Sequence, residues 1–512
     1  MRMGTESGRV SISCVPLSYR SLWLQRTLSA LRVPYLTPLG AALLLAVIVA
    51  TIRSWADYDI YWHLANGRLM VEQGRFPSPD VFSWSAAGAP YLAYSTPFDQ
   101  AFFLLWRTGG VRAVALAAAG LYAAAMLPYT LLIARLRVRP LAEASMLLVI
   151  ACAMGPYRGA RPHVVAFALF GLIAWLLARP FGSRQALVIG GALGLWALVH
   201  GTFVLGFAAI AATIITWVAQ RDWSAVAWTV LALVIGVAIS LLSPHGMALW
   251  LAPLHTASSS IQTVNADWQG LRPLSSDGAA AAVILLTALG LGVWRVTDAR
   301  TMAALLLVLP SIQVARFSPF VMPLLAVLVL ERLVDRLPFL SLDTHSPLAI
   351  TLNTRRVRIT TWLALVAGGA AMLPLAPNEL EAASLPAVRS LPVLAVDKLL
   401  ACGAPAPVWN DYNWGGYLLW RGEGQYTVGM DGRAETLYTE TIINRYLHVM
   451  GQKAGWQADV QNSPARYALL PPGGPAVDQL PGWRLAYMDD VASLAVRDSA
   501  VWRCGSVAAR HP

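Results

Sequence analysis

Two aspartates spaced two residues apart, Asp57 and Asp59, follow the first apolar block of the chain. They lie in the stretch SWADYDIYWHLANGRLMVEQGRFPSPDVFSW (Ser54 to Trp84), which also contains His63. In an extended segment, one such carboxylate can accept a proton from an attacking hydroxyl, while the other positions it or binds a divalent cation such as Mg²⁺ or Mn²⁺. Solvated turns and helix caps have the same spacing, so the pair alone leaves both interpretations open.

The composition indicates which kind of protein must position this pair. The 512 residues are 57% hydrophobic and only 13% charged, whereas soluble domains are about 25% charged. Apolar blocks of roughly 16 to 23 residues predict an α-helical polytopic membrane protein with about eleven transmembrane helices. The net charge of +11 comes from arginines at the ends of these blocks, which fits membrane orientation rather than nucleic-acid binding.

The arginine distribution also predicts an orientation and a domain organisation. We expect a cytoplasmic leader (1–36), because it is arginine-rich and lacks a signal-peptide cleavage pattern. A transmembrane domain (37–376) with a large first outer loop (54–112) should follow, and then an outer soluble domain (377–512) of α/β or α+β type. Within that domain, YTVGMDG and RLAYMDDVASLAV predict strands and ETLYTETIINRYLHVMGQ predicts a helix.

Cysteines give a weaker signal. Cys402 and Cys504 both belong to the outer domain and could form a disulfide in an oxidising compartment, but the sequence does not give the distance between them. Both the bridged and the free states are therefore left open.

With this topology, the unusual polar residues all fall on the outer side of the membrane. Ionisable groups near hydrocarbon are costly unless they pair or line a wet cavity, so the cluster predicts a site that opens outward. Its arginines could bind phosphate oxygens in a bidentate manner, although snorkelling side chains and structural histidines would give the same pattern. The cluster consists of Asp57, Asp59, His63, Arg161, His163, His200, His245, Asp267 and Arg316.

The outer domain has a second group of polar and aromatic residues. These are Asn410, Asp411 and Trp414 in NDYNWGGYLLW, with Asp431 and Arg433 in GMDGRAETLY. Such residues could stack on an acceptor sugar and form hydrogen bonds with its hydroxyls. The neighbouring glycines favour an alternative in which the same residues form a buried structural turn and a local ion pair.

Several of these stretches together resemble a known family. DYDIYWHLANGRLMVEQGRFPSPDVFSW, ARPH, HGTFVLG and SPHG, followed by VWNDYNWGGYLLWRG and VGMDGRAETLY, resemble a group of bacterial multi-pass proteins related to the GT-C glycosyltransferases. The resemblance implies transfer of a sugar from a polyprenyl-phosphate carrier to a lipid, glycan or protein acceptor, with inversion, at the outer face of the cytoplasmic membrane.

The resemblance also implies roles for individual residues. Asp57 and Asp59 match the acidic pair of the first outer loop, with Asp57 favoured as the catalytic base and Asp59 as its support or as a metal ligand. The donor phosphate would be bound by Arg161, Arg316, His163 and His200, with His63, His245 and Asp267 in support. The chemistry needs no nucleotide, and a divalent cation is left open. The alternatives are a transporter or flippase for lipid-linked glycans, and a non-catalytic scaffold with this fold.

Overall fold

The computed structural model describes residues 34–54, 57–257, 260, 268–272, 274–342, 347–371, 374 and 390–504. Most of the predicted leader and the predicted boundary at 376–377 lie outside these ranges. The helices of the membrane part are α1 (Pro38–Arg53), α2 (Ile60–Gln73), α3 (Thr96–Leu136), α4 (Pro140–Met154), α5 (Pro162–Leu177), α6 (Ser183–Ala197), α7 (Phe203–Ala219), α8 (Trp223–Ser240), α9 (Ala248–Ala257), α10 (Ser276–Leu291), α11 (Ala299–Gln313), α12 (Ser318–Arg336), α13 (Pro347–Asn353) and α14 (Arg355–Ala371).

Apolar helices long enough to cross a membrane confirm the class of the protein. Within the described ranges, four helices meet the length and composition for a span: Thr96–Leu136, Pro140–Tyr157, Trp223–Ser240 and Ala315–Arg336. Five shorter apolar helices accompany them: Pro38–Arg53, Pro162–Leu177, Phe203–Ala219, Asp277–Leu291 and Ala299–Gln313. The predicted count of about eleven spans is therefore not confirmed.

Helix α12 lies at the centre of the bundle. Its residues from Ser318 to Leu330 are all buried, because it packs against α3, α4, α5, α10 and α11. Phe320 stacks on Trp196 of α6. Since the helix is enclosed along this length, the short 3₁₀ turn that precedes it (Ala315–Phe317) is held at a defined position.

The first outer loop contains helix α2 and the start of helix α3. Helix α2 ends at Gly74, which adopts the left-handed conformation (φ 61°) that suits a residue without a Cβ atom. Helix α3 begins in this loop and is kinked at Gly109 and Gly110, where the backbone leaves helical geometry. The kink divides this continuous run of helix into two segments.

The domain that follows the membrane helices, called the outer domain after its predicted location, is a mixed α/β unit. Its strands β1 (Val408–Asn410), β2 (Tyr467–Leu470), β3 (Trp483–Met488) and β4 (Ser493–Arg497) form a sheet in the order β1-β2-β4-β3, with β1 and β2 parallel and the other pairs antiparallel. The strands predicted in RLAYMDDVASLAV are confirmed as β3 and β4. The stretch YTVGMDG makes only isolated bridges, from Val428 to Ser83 and Val408, so its prediction as a strand is wrong. The helices are α15 (Val393–Cys402), α16 (Gly415–Arg421), α17 (Ala434–Leu437), α18 (Glu440–Met450) and α19 (Trp456–Gln461).

A shared hydrophobic core joins the first outer loop to the outer domain. Ile60 and Leu64 of α2 and Phe98 of α3 belong to the same buried cluster as Val408 of β1 and Leu418 of α16. Tyr61 packs edge-on against Tyr417 at 5.0 Å. Cys402 and Cys504 form a disulfide with their Cα atoms 5.3 Å apart. The outer domain is therefore packed directly on the loop that carries the acidic pair.

Candidate functional site

The acidic pair is held by one arginine. Arg161 Nη2 lies 2.6 Å from Asp57 Oδ1 and 3.4 Å from Asp59 Oδ2. Asp57 Oδ1 also accepts the backbone N–H of Asp59 at 3.0 Å, and Asp59 Oδ1 accepts Trp62 Nε1–H at 3.2 Å. The two carboxylates therefore have fixed and different surroundings, although they are only two residues apart.

Asp59, rather than Asp57, faces the cavity of this site. The cavity has a volume of about 50 Å³, which accommodates water molecules and is too small for a sugar ring. The conformation described is therefore a closed one. The cavity is lined by Asp59, Trp62, His63, Tyr94, Arg161, Pro162, His163, His200, Arg316, Tyr412 and Gly432.

The electrostatics of Asp59 differ from those of an exposed aspartate. Removal from water raises the pKa of Asp59, and the positive charge of Arg161 opposes that rise. The neighbouring Asp57 raises the pKa of Asp59 further, because two negative charges at this distance repel each other. An acid with a raised pKa and a fixed hydrogen-bond partner is suited to accepting a proton.

Three helices begin next to the cavity. Helix α5 begins immediately after Arg161, α7 begins three residues after His200, and α12 begins two residues after Arg316. Helix N-termini carry partial positive charge and unpaired backbone N–H groups. Together with the two arginines, they make the cavity wall electropositive, which suits an anionic group such as a phosphate.

Arg316 is positioned by an aromatic neighbour. Its guanidinium carbon lies 4.7 Å from the ring centre of Trp268, and Trp268 in turn packs edge-on against Phe317. A guanidinium placed over an indole ring is stabilised by the cation–π interaction. Trp268, which is not part of the cavity lining, therefore holds Arg316 in place at the cavity wall.

His200 is a neutral hydrogen-bond donor. Burial lowers the pKa of His200 well below its usual value, and the nearby charge of Arg316 lowers it further. The Nδ1 atom accepts the backbone N–H of Thr202 at 3.2 Å and lies 2.8 Å from its hydroxyl. The proton of the neutral ring is therefore on Nε2, where it can be donated to a ligand.

The other two histidines of the cavity are fixed by similar bonds. His163 Nε2 lies 3.1 Å from the carbonyl oxygen of Tyr157, so this nitrogen donates a proton to it. His63 Nδ1 lies 2.6 Å from Asp99 Oδ1, and Asn66 donates to the other oxygen of Asp99 at 3.1 Å. The His63–Asp99 pair is almost completely buried and anchors α2 to α3 beside the site.

The outer domain closes the cavity through Gly432 and Tyr412. A Cβ atom built on Gly432 would lie 2.2 Å from Asp59 Oδ1 and 2.5 Å from Trp62 Nε1, so only glycine fits there. Tyr412 follows β1, and its backbone N–H donates to Tyr446 Oη at 2.7 Å. From the sequence, Gly432 predicted only a tight turn, and Tyr412, Trp62 and Tyr94 gave no signal for a site, because aromatic side chains are common at membrane interfaces.

One of the residues expected in support does not join this group. His245 lines a larger cavity of about 530 Å³ between α9 and the outer domain, together with Tyr91 and Glu440. Burial lowers the pKa of His245. Asp267 lies outside the described residues.

The five residues expected to bind an acceptor are engaged in packing. Asn410 is fully buried, its Nδ2 donates to Met430 O at 2.7 Å, and its Oδ1 accepts Gly429 N–H at 2.8 Å. Asp411 caps the following turn through Asn413 N–H, and Trp414 Nε1 donates to Ser390 O at 2.9 Å. Burial raises the pKa of Asp411. These contacts fit the structural alternative for this stretch.

Asp431 and Arg433 belong to a buried ion triad. Arg433 Nη1 lies 2.6 Å from Asp80 Oδ1, and Arg433 Nη2 lies 2.6 Å from Asp431 Oδ2, with none of the three side chains exposed. Asp80 belongs to the first outer loop, so the triad fastens that loop to the outer domain. This geometry also fits the structural alternative.

The acidic pair does not fit a divalent cation site. Arg161 already occupies the space that faces both carboxylates, and its positive charge would repel a cation. Within the ranges that the structure describes, no group of three or more histidine, cysteine, aspartate or glutamate side chains comes together.

The arrangement was compared with known proteins. ArnT from Cupriavidus metallidurans, in a crystal structure bound to undecaprenyl phosphate, superposes with a TM-score of 0.51 at 15% identity, covering 89% of this chain and 97% of ArnT. The fold is GT-C-like. The apo oligosaccharyltransferase from Archaeoglobus fulgidus gives a TM-score of 0.49 at 12% identity, covering 84% of this chain and 69% of that protein. No family model and no curated protein sequence matches the chain.

The GT-C-like fold confirms the resemblance drawn from the sequence motifs. At such low identity the likeness concerns the fold, and roles for individual residues must come from the geometry of this chain. That geometry brings together Asp57, Asp59, His63, Arg161, His163, His200 and Arg316, which are seven of the nine residues in the outer cluster.

Proposed function

We propose that this chain is a membrane glycosyltransferase that transfers a sugar from a polyprenyl-phosphate donor to a lipid, glycan or protein acceptor. The observation that carries the proposal is the cavity in which Asp59 faces Arg161, Arg316 and His200. One acid and several phosphate-binding groups are the minimum for such a transfer. The proposed location is the outer face of the cytoplasmic membrane, with the N-terminus inside and the outer domain outside.

The proposed reaction is a single displacement. Asp59 accepts the proton of the acceptor hydroxyl, and the hydroxyl oxygen forms a bond with the anomeric carbon of the sugar. The bond from that carbon to the phosphate oxygen breaks, and the polyprenyl phosphate leaves with both electrons of the bond. Attack and departure occur on opposite sides of the anomeric carbon, so its configuration inverts.

The proposed phosphate site consists of Arg161, Arg316 and the Nε2–H of His200, while His163, whose Nε2–H is donated to the Tyr157 carbonyl, forms the wall beside them. Preorganised donors that meet the developing negative charge lower the barrier to departure. The nearby N-termini of α5, α7 and α12 act in the same direction. Because the cavity is too small for a sugar, donor binding requires it to widen, and the contact between Gly432 and Asp59 lies in its wall.

We further propose Asp59 as the base and Asp57 as a positioning residue. Asp57 was favoured as the base from the sequence. However, it pairs with Arg161 at 2.6 Å and accepts the backbone N–H of Asp59, whereas Asp59 lines the cavity. In the proposed arrangement, Asp57 orients both Arg161 and the backbone of the base.

The test uses purified protein in nanodiscs with a panel of synthetic polyprenyl-phosphate-linked sugars, and it measures the release of polyprenyl phosphate. Asp59→Asn is expected to lower the rate by about 10²- to 10⁴-fold, which is the usual contribution of a general base. Asp57→Asn is expected to lower the rate less than Asp59→Asn does. Asp335→Asn is the matched control, because its side chain is 64% exposed on α12. Unchanged release in Asp59→Asn would exclude this residue as the base.

A binding measurement distinguishes a loss of donor binding from a loss of the chemical step. Undecaprenyl phosphate should bind to the wild type and to Asp59→Asn, and it should bind more weakly to Arg316→Gln. A transporter or flippase would move a lipid-linked sugar across the membrane without releasing the carrier. A scaffold without chemistry would give no release with any donor in the panel.

A further inference from the structure

A second cavity lies on the surface of the transmembrane domain, separate from the one that Asp59 lines. An apolar slot of about 360 Å³ lies between α1, α3 and α4. Its walls are formed by Val47, Ala50, Tyr122, Leu148, Ala151 and Cys152, and its end is formed by Arg158.

The slot faces the lipid and not the protein interior. Leu148 is 49% exposed and Ala50 is also exposed, although both belong to apolar helices. In a helix that crosses a membrane, such exposed apolar side chains are in contact with lipid chains. The hydroxyl of Tyr122 donates to Ala151 O at 3.3 Å, so it is satisfied within the protein. The walls therefore suit an apolar chain.

Arg158 gives this slot a charge preference. The guanidinium is half-buried, and its Nε donates to Ser54 Oγ at 2.6 Å. Among the described residues, no carboxylate lies within salt-bridge distance of Arg158, and no other charged side chain lines the slot. A guanidinium at the edge of hydrocarbon is costly without a counter-charge, and it binds phosphate oxygens in a bidentate manner.

We propose that the slot binds an anionic phospholipid, with one acyl chain between α1 and α4 and the phosphate on Arg158. A phospholipid is the occupant because it surrounds the protein at high concentration, whereas the proposed carrier phosphate belongs at Arg161 and Arg316. The slot is also connected to the acidic pair through the chain. Arg158 is three residues before Arg161, and its partner Ser54 is three residues before Asp57. The Ser54–Arg158 bond and the Asp57–Arg161 pair therefore join the same two segments.

The experiment measures lipid binding to delipidated, detergent-purified protein by native mass spectrometry. Phosphatidylglycerol is the probe, phosphatidylcholine is the neutral comparison, and undecaprenyl phosphate is a third arm. The wild type is expected to bind phosphatidylglycerol more tightly than phosphatidylcholine. Arg158→Gln should bind it about tenfold more weakly, as expected for the loss of one charge-assisted contact.

Two further variants keep the test decisive. Ala50→Phe should also lose binding, because the ring fills the slot and leaves Arg158 in place. Arg112→Gln removes an exposed arginine of α3 and should bind like the wild type. Equal binding of phosphatidylglycerol to the wild type, Arg158→Gln and Ala50→Phe would overturn the proposal. The choice of occupant would be overturned if the wild type bound undecaprenyl phosphate more tightly than phosphatidylglycerol and Arg158→Gln lost this preference.

Discussion

Gly432 of the outer domain lies against the carboxylate of Asp59. A Cβ atom at position 432 would lie 2.2 Å from Asp59 Oδ1, closer than van der Waals contact allows. The outer domain therefore forms part of the wall around the proposed base. A residue that is more than 370 positions away in the sequence thus limits where the acid can lie.

A single methyl group at this position should disturb the site. Gly432→Ala is expected either to displace Asp59 and Trp62 or to separate the outer domain from the first outer loop. Because a small misplacement of reacting groups is costly, the rate of sugar transfer should fall by at least about tenfold. Gly120→Ala is the control, because a Cβ atom there meets nothing within 4 Å. The measurement is the rate of carrier release. Equal rates in the two variants would show that the close contact is irrelevant to transfer.

The pH dependence of transfer should report the ionisation of Asp59. Only the carboxylate accepts a proton, so activity falls as the pH drops through the pKa of Asp59. Burial raises that pKa, so the acidic limb of the kcat/KM profile should lie above the usual value for aspartate, which is about 3.9.

The charge of Arg161 should determine the pH at which the acidic limb of the kcat/KM profile lies. Its charge lowers the pKa of Asp59, so Arg161→Gln should move the acidic limb to higher pH in addition to lowering the rate. Arg421→Gln is the control, since this arginine pairs with Asp397 on the surface of the outer domain. A limb that stays in place in Arg161→Gln would contradict the proposed coupling.

The buried ion triad should be essential for the stability of the outer domain. Arg433→Met leaves the carboxylates of Asp80 and Asp431 buried without a counter-charge, which typically costs about 3–5 kcal/mol of the free energy of unfolding. Arg421→Met removes an exposed ion pair and should cost at most about 1 kcal/mol. Limited proteolysis of the outer domain compares the two. Similar protease resistance would mean that the triad is dispensable.

The disulfide should contribute to stability as well. It closes a loop with a sequence separation of 102, and removal of a disulfide from a small extracellular domain typically costs about 2–5 kcal/mol. The double variant Cys402→Ser/Cys504→Ser is expected to unfold at lower temperature than Cys152→Ala, which lacks only a half-buried free thiol. Thiol labelling in intact cells provides a second readout. A fully reduced pair there would argue against an outer location of this domain.

The class of the protein and most of the residues in the site follow from local patterns in the chain. Charge depletion and long apolar blocks specify membrane helices, and the arginines at their ends predicted which polar residues share one side. That rule selected six residues that line a single cavity, and Asp57, which pairs with Arg161 beside it. The same rule also selected His245, which lines a different cavity. The arginine pattern predicts on which side of the membrane a residue lies, but it does not predict where the residue lies within the membrane plane.

The roles of these residues depend on long-range packing. Asp57 and Asp59 are equivalent in sequence, and they differ because Arg161 pairs closely with one and the cavity opens to the other. The Asp431–Arg433 pair and Trp414 of the outer domain looked suited to binding a sugar. However, Arg433 pairs with Asp80 of the first outer loop, and Trp414 belongs to the same buried cluster as Ile60 of that loop. Such long-range contacts depend on how the two segments fold onto each other, which local patterns in the chain do not specify.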